Sequence, residues 1–181
     1  VMLSVDNCGV PAAFTEKLFA ALQQRWGLKR ERFVLSSTHT HSGPWLQGFA
    51  PLQFQDVPDE HLKAAAEYED ELFRKLQHIV TEAITKRHLG RLAWGQTEVS
   101  FARNRRTIQS GQWVGFGDVP DGPVDHRVSV LAGLNTVDQP MAVLANYACH
   151  CTTLTGSFNQ ISGDWATVAA DQIQDGLKGN V

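Results

Sequence analysis

The sequence predicts an α/β fold with a mixed β-sheet flanked by helices, beginning with a parallel βαβ unit. Three observations predict it. Short apolar runs of β type alternate along the chain with stretches of helical periodicity. The first helical stretch sits between two such runs, so the strands on either side should be parallel neighbours. Two later runs are joined by a four-residue turn sequence, which adds an antiparallel pair. The 181 residues, 43% of them hydrophobic, are enough for one domain with a real core.

The elements follow in order. "VMLSVD" reads as a buried strand. Pro11 opens a helix at its first turn, where its missing N–H is harmless. Phe14, Leu18, Ala21, Leu22 and Trp26 recur at helical spacing, and Gly27 supplies the stop. "RFVLSST" is the second strand, and "HTHSGPW" leaves its C-terminal end, where open α/β sheets place their sites. Residues 46 to 57 read as an irregular loop. Pro58 or Asp59 starts a long helix with Leu62, Ala65, Leu72, Leu76, Ile79, Val80, Ala83 and Ile84 on its apolar stripe, and Gly90 should end it. "RLAWGQTEVS" is a strand. "FARNRRTIQSGQWVGFGDVPDGPVD" is rich in Gly, Asp and Pro and reads as a long, functional loop. "HRVSVLAGLNT" and "MAVLANYACH" form a hairpin across "VDQP". "SGDWATVAADQIQDGL" is the last helix, with Ser162 as N-cap and Trp165, Val168, Ala169 and Ile173 on its buried side.

Composition narrows the function classes. The net charge of -3, with Lys and Arg scattered, leaves no electrostatic footprint for nucleic acid. No apolar run is long enough to cross a bilayer. Three cysteines do not suggest a disulfide framework. The chain starts directly in a strand and stops just after a helix in "DGLKGNV", so residues 1–181 are expected to be part of a longer protein.

His39 and His41 are the first candidates for chemistry. At a strand end, positions two apart share a face, so both could reach one metal; a turn at Thr40 would leave only one. The other reading is a pair of loop histidines among Thr and Ser hydroxyls. His150 ends a second apolar strand. With His39 it favours a metal site, although zinc takes three protein groups or more; Asp6, Asp164 and His41 are the candidates for the third. Cys149 and Cys151 flank His150, but adjacent strand residues point to opposite faces, which disfavours a thiol nucleophile with His150 as its base. Arg103, Asn104, Arg105 and Arg106 form a polar cluster that suits a carboxylate, a phosphate or a developing oxyanion, or simply a solvated loop.

"STHTHSGP", "ARNRR", "VDHRVSVL", "PMAVLANYACHCTTL" and "ISGDWA", in that order, resemble the N-terminal catalytic domain of the neutral/alkaline (non-lysosomal) ceramidase family. "THTHSGP" is the most specific piece, followed by the strand-ending His with "TTL" and then "ISGD". The resemblance implies a zinc amidase that hydrolyses the amide of N-acylsphingosine, or of a related N-acyl lipid, with Zn2+ as cofactor. Carried over by motif, His39 and His150 resemble the family's zinc ligands. His41 resembles its substrate-side histidine, and Arg105 its active-site arginine. The Glu and Tyr that complete the family's zinc shell, and a Ser near the metal, come from sequence downstream of this chain. The resemblance thus implies a partial domain, inactive alone, whose partners are a ceramide-like lipid and the missing C-terminal portion. It further implies an exported location, secreted or periplasmic, and association with a membrane surface.

The sequence departs from the family after "THTHSGP", where "WLQGF" replaces a Gly-rich continuation. Trp45, Leu46 and Phe49 are therefore expected to reshape or cover the site mouth. Two other functions fit the same residues. One is a non-catalytic lipid- or glycan-binding domain that uses Trp45, Trp94, Trp113 and Phe116. The other is a hydrolase of another amide or ester, with a thiol mechanism through Cys149 or Cys151 as a further alternative.

Overall fold

The computed structural model describes residues 1–154 and 156–178. The end of "DGLKGNV", from residue 179, lies outside the described residues. The elements are β1 (Met2–Val5), α1 (Ala12–Trp26), β2 (Val34–Ser37), α2 (Asp59–Thr85), β3 (Arg91–Glu98), β4 (Asn104–Gln109), β5 (Gln112–Val119), β6 (Arg127–Leu134), β7 (Pro140–Tyr147) and α3 (Asp164–Lys178). The α/β class and the parallel opening unit are present as expected. The chain divides into two units. The first comprises Val1–Arg87 and Cys151–Ile173, and the second comprises His88–His150 with the end of α3 from Gln174.

In the first unit β1 and β2 pair in parallel, from Met2 opposite Val34 to Val5 opposite Ser37, with α1 as the crossover. Pro11 sits at the N-cap in extended conformation, where its fixed φ suits entry to the helix. Gly27 ends α1 at φ 60, with its N–H bonded to the Gln23 carbonyl at 2.8 Å. Phe14, Leu18, Phe19 and Leu22 form the buried face of α1, and Ala65, Leu72, Leu76 and Val80 that of α2. The Phe14 and Phe73 rings meet edge to face at 6.1 Å and tie the two helices together. Val5, Phe33 and Leu46 complete this core. Burying a side chain such as Leu18 contributes about 1.5–3 kcal/mol.

Four expectations in this unit are corrected. β1 is not a buried strand: only Val5 is buried and Met2 is exposed, because a two-stranded sheet leaves an uncovered edge. Leu46 does not cover a site mouth; it is fully buried in the core. α2 ends at Thr85 rather than Gly90, with Lys86 as its C-cap. α3 starts at Asp164, and the Ser162 hydroxyl accepts the Asp164 N–H at 3.1 Å, close to the capping role expected of it. Val168 and Ile173, expected on the buried side, are exposed.

In the second unit β3, β6 and β7 form an antiparallel sheet in the order β3-β6-β7. The expected β6–β7 hairpin turns through residues 135–139, where the Asn135 side chain accepts the N–H groups of Val137 and Gln139. The segment read as a long loop contains a second hairpin, β4–β5. Its turn is Ser110-Gly111, with φ 49 and 78 at the two residues, the two-residue geometry that matches strand twist. Gly115, Gly117 and the Asp and Pro residues beyond them disguised β5 as a loop. The parallel and antiparallel strands thus lie in separate small sheets.

Candidate functional site

The two parallel strands of the first unit deliver their following loops side by side. The Thr38 N–H bonds to the Val5 carbonyl at 3.0 Å, extending the pairing to the last residue before His39. The Asn7 N–H bonds to the same carbonyl at 3.0 Å and turns the first chain just before Cys8. This is the carboxyl end of a parallel pair, where α/β folds place ligands.

His39 adopts φ 63, a left-handed conformation uncommon for a residue with a Cβ. The chain therefore turns at His39 itself, and strand alternation does not set the relation of His39 to His41. The two imidazoles nevertheless meet edge to face, with centroids 5.0 Å apart. His39 Nδ1 lies 2.5 Å from the Cys8 carbonyl oxygen and 3.8 Å from Cys8 Sγ. A carbonyl only accepts, so this bond puts the ring proton on Nδ1 and the lone pair on Nε2, the arrangement that orients a metal-binding imidazole.

One donor atom from each of Cys8, His39 and His41 lies within 4.8 Å of the others. That is slightly wider than the roughly 3.3–3.8 Å edges of a tetrahedron with bonds of about 2.0–2.3 Å to nitrogen and sulfur. The donor chemistry, two imidazoles and a thiol, fits zinc-class cations. Two buried polar atoms beside these residues in sequence, Asn7 Nδ2 and Thr38 Oγ1, have no hydrogen-bond partner among the described residues. Burial pushes the Cys8 thiol above its ordinary pKa. Sequence reasoning missed Cys8; the signal was its place just past the strand that neighbours the His39 strand.

The loop around the histidines is fastened from the far end of the chain. Thr40 is fully buried, and its hydroxyl donates to the Ser162 carbonyl at 2.7 Å while accepting the Ser42 N–H at 3.2 Å. The His41 N–H reaches the Cys151 carbonyl at 3.2 Å, and the Ser162 N–H reaches the Ser42 carbonyl at 2.9 Å. Asp164 then holds the "TTL" segment. Its carboxylate accepts from the Thr153 hydroxyl at 2.6 Å and from the N–H groups of Leu154 and Trp165 at 3.1 and 2.7 Å. Burial alone would raise the Asp164 pKa, but these hydrogen bonds outweigh it and hold the carboxyl below its ordinary value. The three motifs "THTHSGP", "TTL" and "ISGD" are therefore one hydrogen-bonded assembly. Asp6 and Asp164, both considered as third metal ligands, are engaged in this fastening, since Asp6 Oδ2 accepts from the Thr167 hydroxyl at 2.9 Å.

Gly43 is required by a close approach. A Cβ there would lie 2.8 Å from the Asp6 carbonyl oxygen and 2.9 Å from Asn7 Cα, both backbone atoms. Two residues on, the Trp45 indole N–H donates to the Phe49 carbonyl at 3.1 Å, and the Phe49 ring lies against Gly9, next to Cys8.

The remaining candidates lie in the second unit or at its border. Arg105 is on β4, with its guanidinium 5.6 Å from the Phe116 ring centroid; Arg106 is 4.9 Å from the same ring. β7 stops at Tyr147, so His150 stands three residues beyond the strand and is exposed. His39 and His150 thus follow strands of different sheets. Cys151 is buried, and Cys149 Sγ contacts the His150 carbonyl oxygen at 3.7 Å, which gives the thiol mechanism no support.

Comparison with known proteins agrees with this architecture. The crystal structure of a neutral ceramidase from Pseudomonas aeruginosa is similar to the chain with a TM-score of 0.64 and 24% sequence identity, over 89% of this chain and 25% of that one. A ceramidase complexed with C2 gives a TM-score of 0.63, with the same identity and coverage. The likeness at that identity is one of fold, and the alignment covers about a quarter of those proteins' length. No curated protein matches the sequence. Residues 1–181 do match, from end to end, the family described as neutral/alkaline non-lysosomal ceramidase, N-terminal, and the chain belongs to that family.

Proposed function

We propose that the full-length protein is a zinc-dependent hydrolase of the ceramidase type, cleaving the amide of N-acylsphingosine or a related N-acyl lipid. The observation that carries this reading is the convergence of His39 and His41 at the end of the parallel pair, within a family match over residues 1–181. His39 and His150 would hold the metal. Bound zinc supplies Lewis-acid polarisation of the amide carbonyl and lowers the pKa of a coordinated water.

This chain's own residues would do the rest. The Cys8 carbonyl orients the His39 ring through Nδ1. His41, its backbone fixed to the Cys151 carbonyl, presents its imidazole beside that of His39 and stabilises charge on the amide oxygen. Arg105 adds a guanidinium for the same developing oxyanion. Phe49, packed against Gly9 beside Cys8, and Trp45, bonded to the Phe49 carbonyl, set the shape of the acyl or base subsite.

Fatty-acid release from N-acylsphingosine by the full-length protein tests this reading. His41→Ala should lower kcat by about 100-fold or more, the scale of losing one oxyanion donor. Hydrolysis of a different amide or ester, with none of ceramide, would remove the substrate and keep the metal site. A second reading, a non-catalytic binding domain for lipid or glycan, is favoured by the exposure of Trp94, Trp113 and Phe116. Lipid binding without turnover would select it.

A further inference from the structure

We infer that Asp164 is a positioning residue for the metal site, acting through Thr153 and Leu154 on the segment that follows His150. The inference rests on the reading of His39 and His150 as metal ligands and deepens it. Asp164 is 4% exposed and adopts φ 57, a left-handed conformation that costs a residue with a Cβ. It is the first residue of α3, where an ordinary helix start requires neither burial nor a left-handed turn. Such strain persists where surrounding bonds over-determine it. Here one carboxylate oxygen accepts from the Thr153 hydroxyl and the Trp165 N–H, and the other from the Leu154 N–H. The carboxylate thus bridges the start of α3 to residues three and four places after His150.

The same turn reaches the other two segments of the site. Ser162 bonds the Thr40 hydroxyl through its carbonyl and the Ser42 carbonyl through its N–H, on either side of His41. The Thr167 hydroxyl donates to Asp6, two residues before the Cys8 carbonyl that orients His39. Gly163 makes this compact turn possible, since a Cβ there would collide with the Thr167 hydroxyl. Residues 162 to 167 therefore clamp residue 6, the loop 40–42 and residues 153–154 to one another. A metal ligand on an unanchored segment must lose that segment's freedom each time the ion binds. Asp164 removes this cost in advance for the segment that leaves His150, as outer partners of metal ligands do.

The test is the zinc dissociation constant of the full-length protein, measured by competition with a chelator. Asp164→Asn keeps the shape but replaces one accepting oxygen with a donor, and should raise the constant about 10–100-fold. Thr153→Val removes the partner hydroxyl from an exposed residue, so it tests the same link without disturbing the core. It should weaken zinc in the same direction, and Thr153→Ser, which restores the hydroxyl, should return the wild-type constant. Leu18→Ala separates positioning from stability: it weakens the core of α1 and should bind zinc as the wild type does. Wild-type zinc affinity in Thr153→Val, or equal weakening in Leu18→Ala, overturns the proposal and leaves the metal ligands as read. Absence of zinc from the wild type, or full zinc in His150→Ala, overturns the reading of the ligands and the proposal with it.

Discussion

Thr40, between the two histidines, is buried completely and works as a hydrogen-bond hub for its loop. Thr40→Val keeps the shape and leaves the Ser162 carbonyl and the Ser42 N–H short of a partner. It should destabilise the fold by about 1–3 kcal/mol, read by chemical denaturation. Asp164 gives a pH signature. Its folded carboxyl titrates below its ordinary value, so its stabilisation is complete above about pH 4 and fades as pH falls through the depressed pKa. The stability gap between wild type and Asp164→Asn should therefore be widest near neutrality and shrink below about pH 4. Gly43→Ala would press a methyl group on the Asp6 carbonyl and Asn7, and should displace the Cys8 loop. The expected result is weaker zinc binding with little change in far-ultraviolet circular dichroism.

The helices were legible in the sequence because their apolar residues recur at helical spacing and their ends carry Pro11, Gly27 and Pro58. Leu18, fully buried on α1 next to the α2 face, is the element-scale test: Leu18→Ala should cost about 2–5 kcal/mol. β4 and β5 were not legible, because β-type alternation in "NRRTIQ" and "QWVGFGDV" is broken by glycines and by two register shifts in the pairing. The "SG" between them was the available clue. The depth of β1 was also misread, since an apolar run reports the capacity for burial and not whether a neighbouring layer covers it.

At the scale of the whole molecule, three of the motifs in the family resemblance, "THTHSGP", "TTL" and "ISGD", are segments that the hydrogen bonds of the first unit knit together. The chain from 151 to 165 returns to fasten the loop from 40 to 43. His39 and His41 were legible as a pair from spacing; that they meet through a left-handed turn at His39 was not, because a single backbone reversal leaves no periodic trace. Cys8 escaped notice for a related reason: its proximity to His39 depends on strand register, which neither sequence stretch states alone. His150 was legible as a strand-ending histidine and Arg105 as part of a polar cluster, and their specific roles entered only through the family resemblance. Zinc content of the purified full-length protein therefore bears most directly on the central claim. The account predicts about one equivalent of zinc per chain after zinc-supplemented purification, lost in both His39→Ala and His150→Ala and retained in Cys149→Ser. Less than about a tenth of an equivalent in the wild type, or full zinc in His39→Ala, would contradict it.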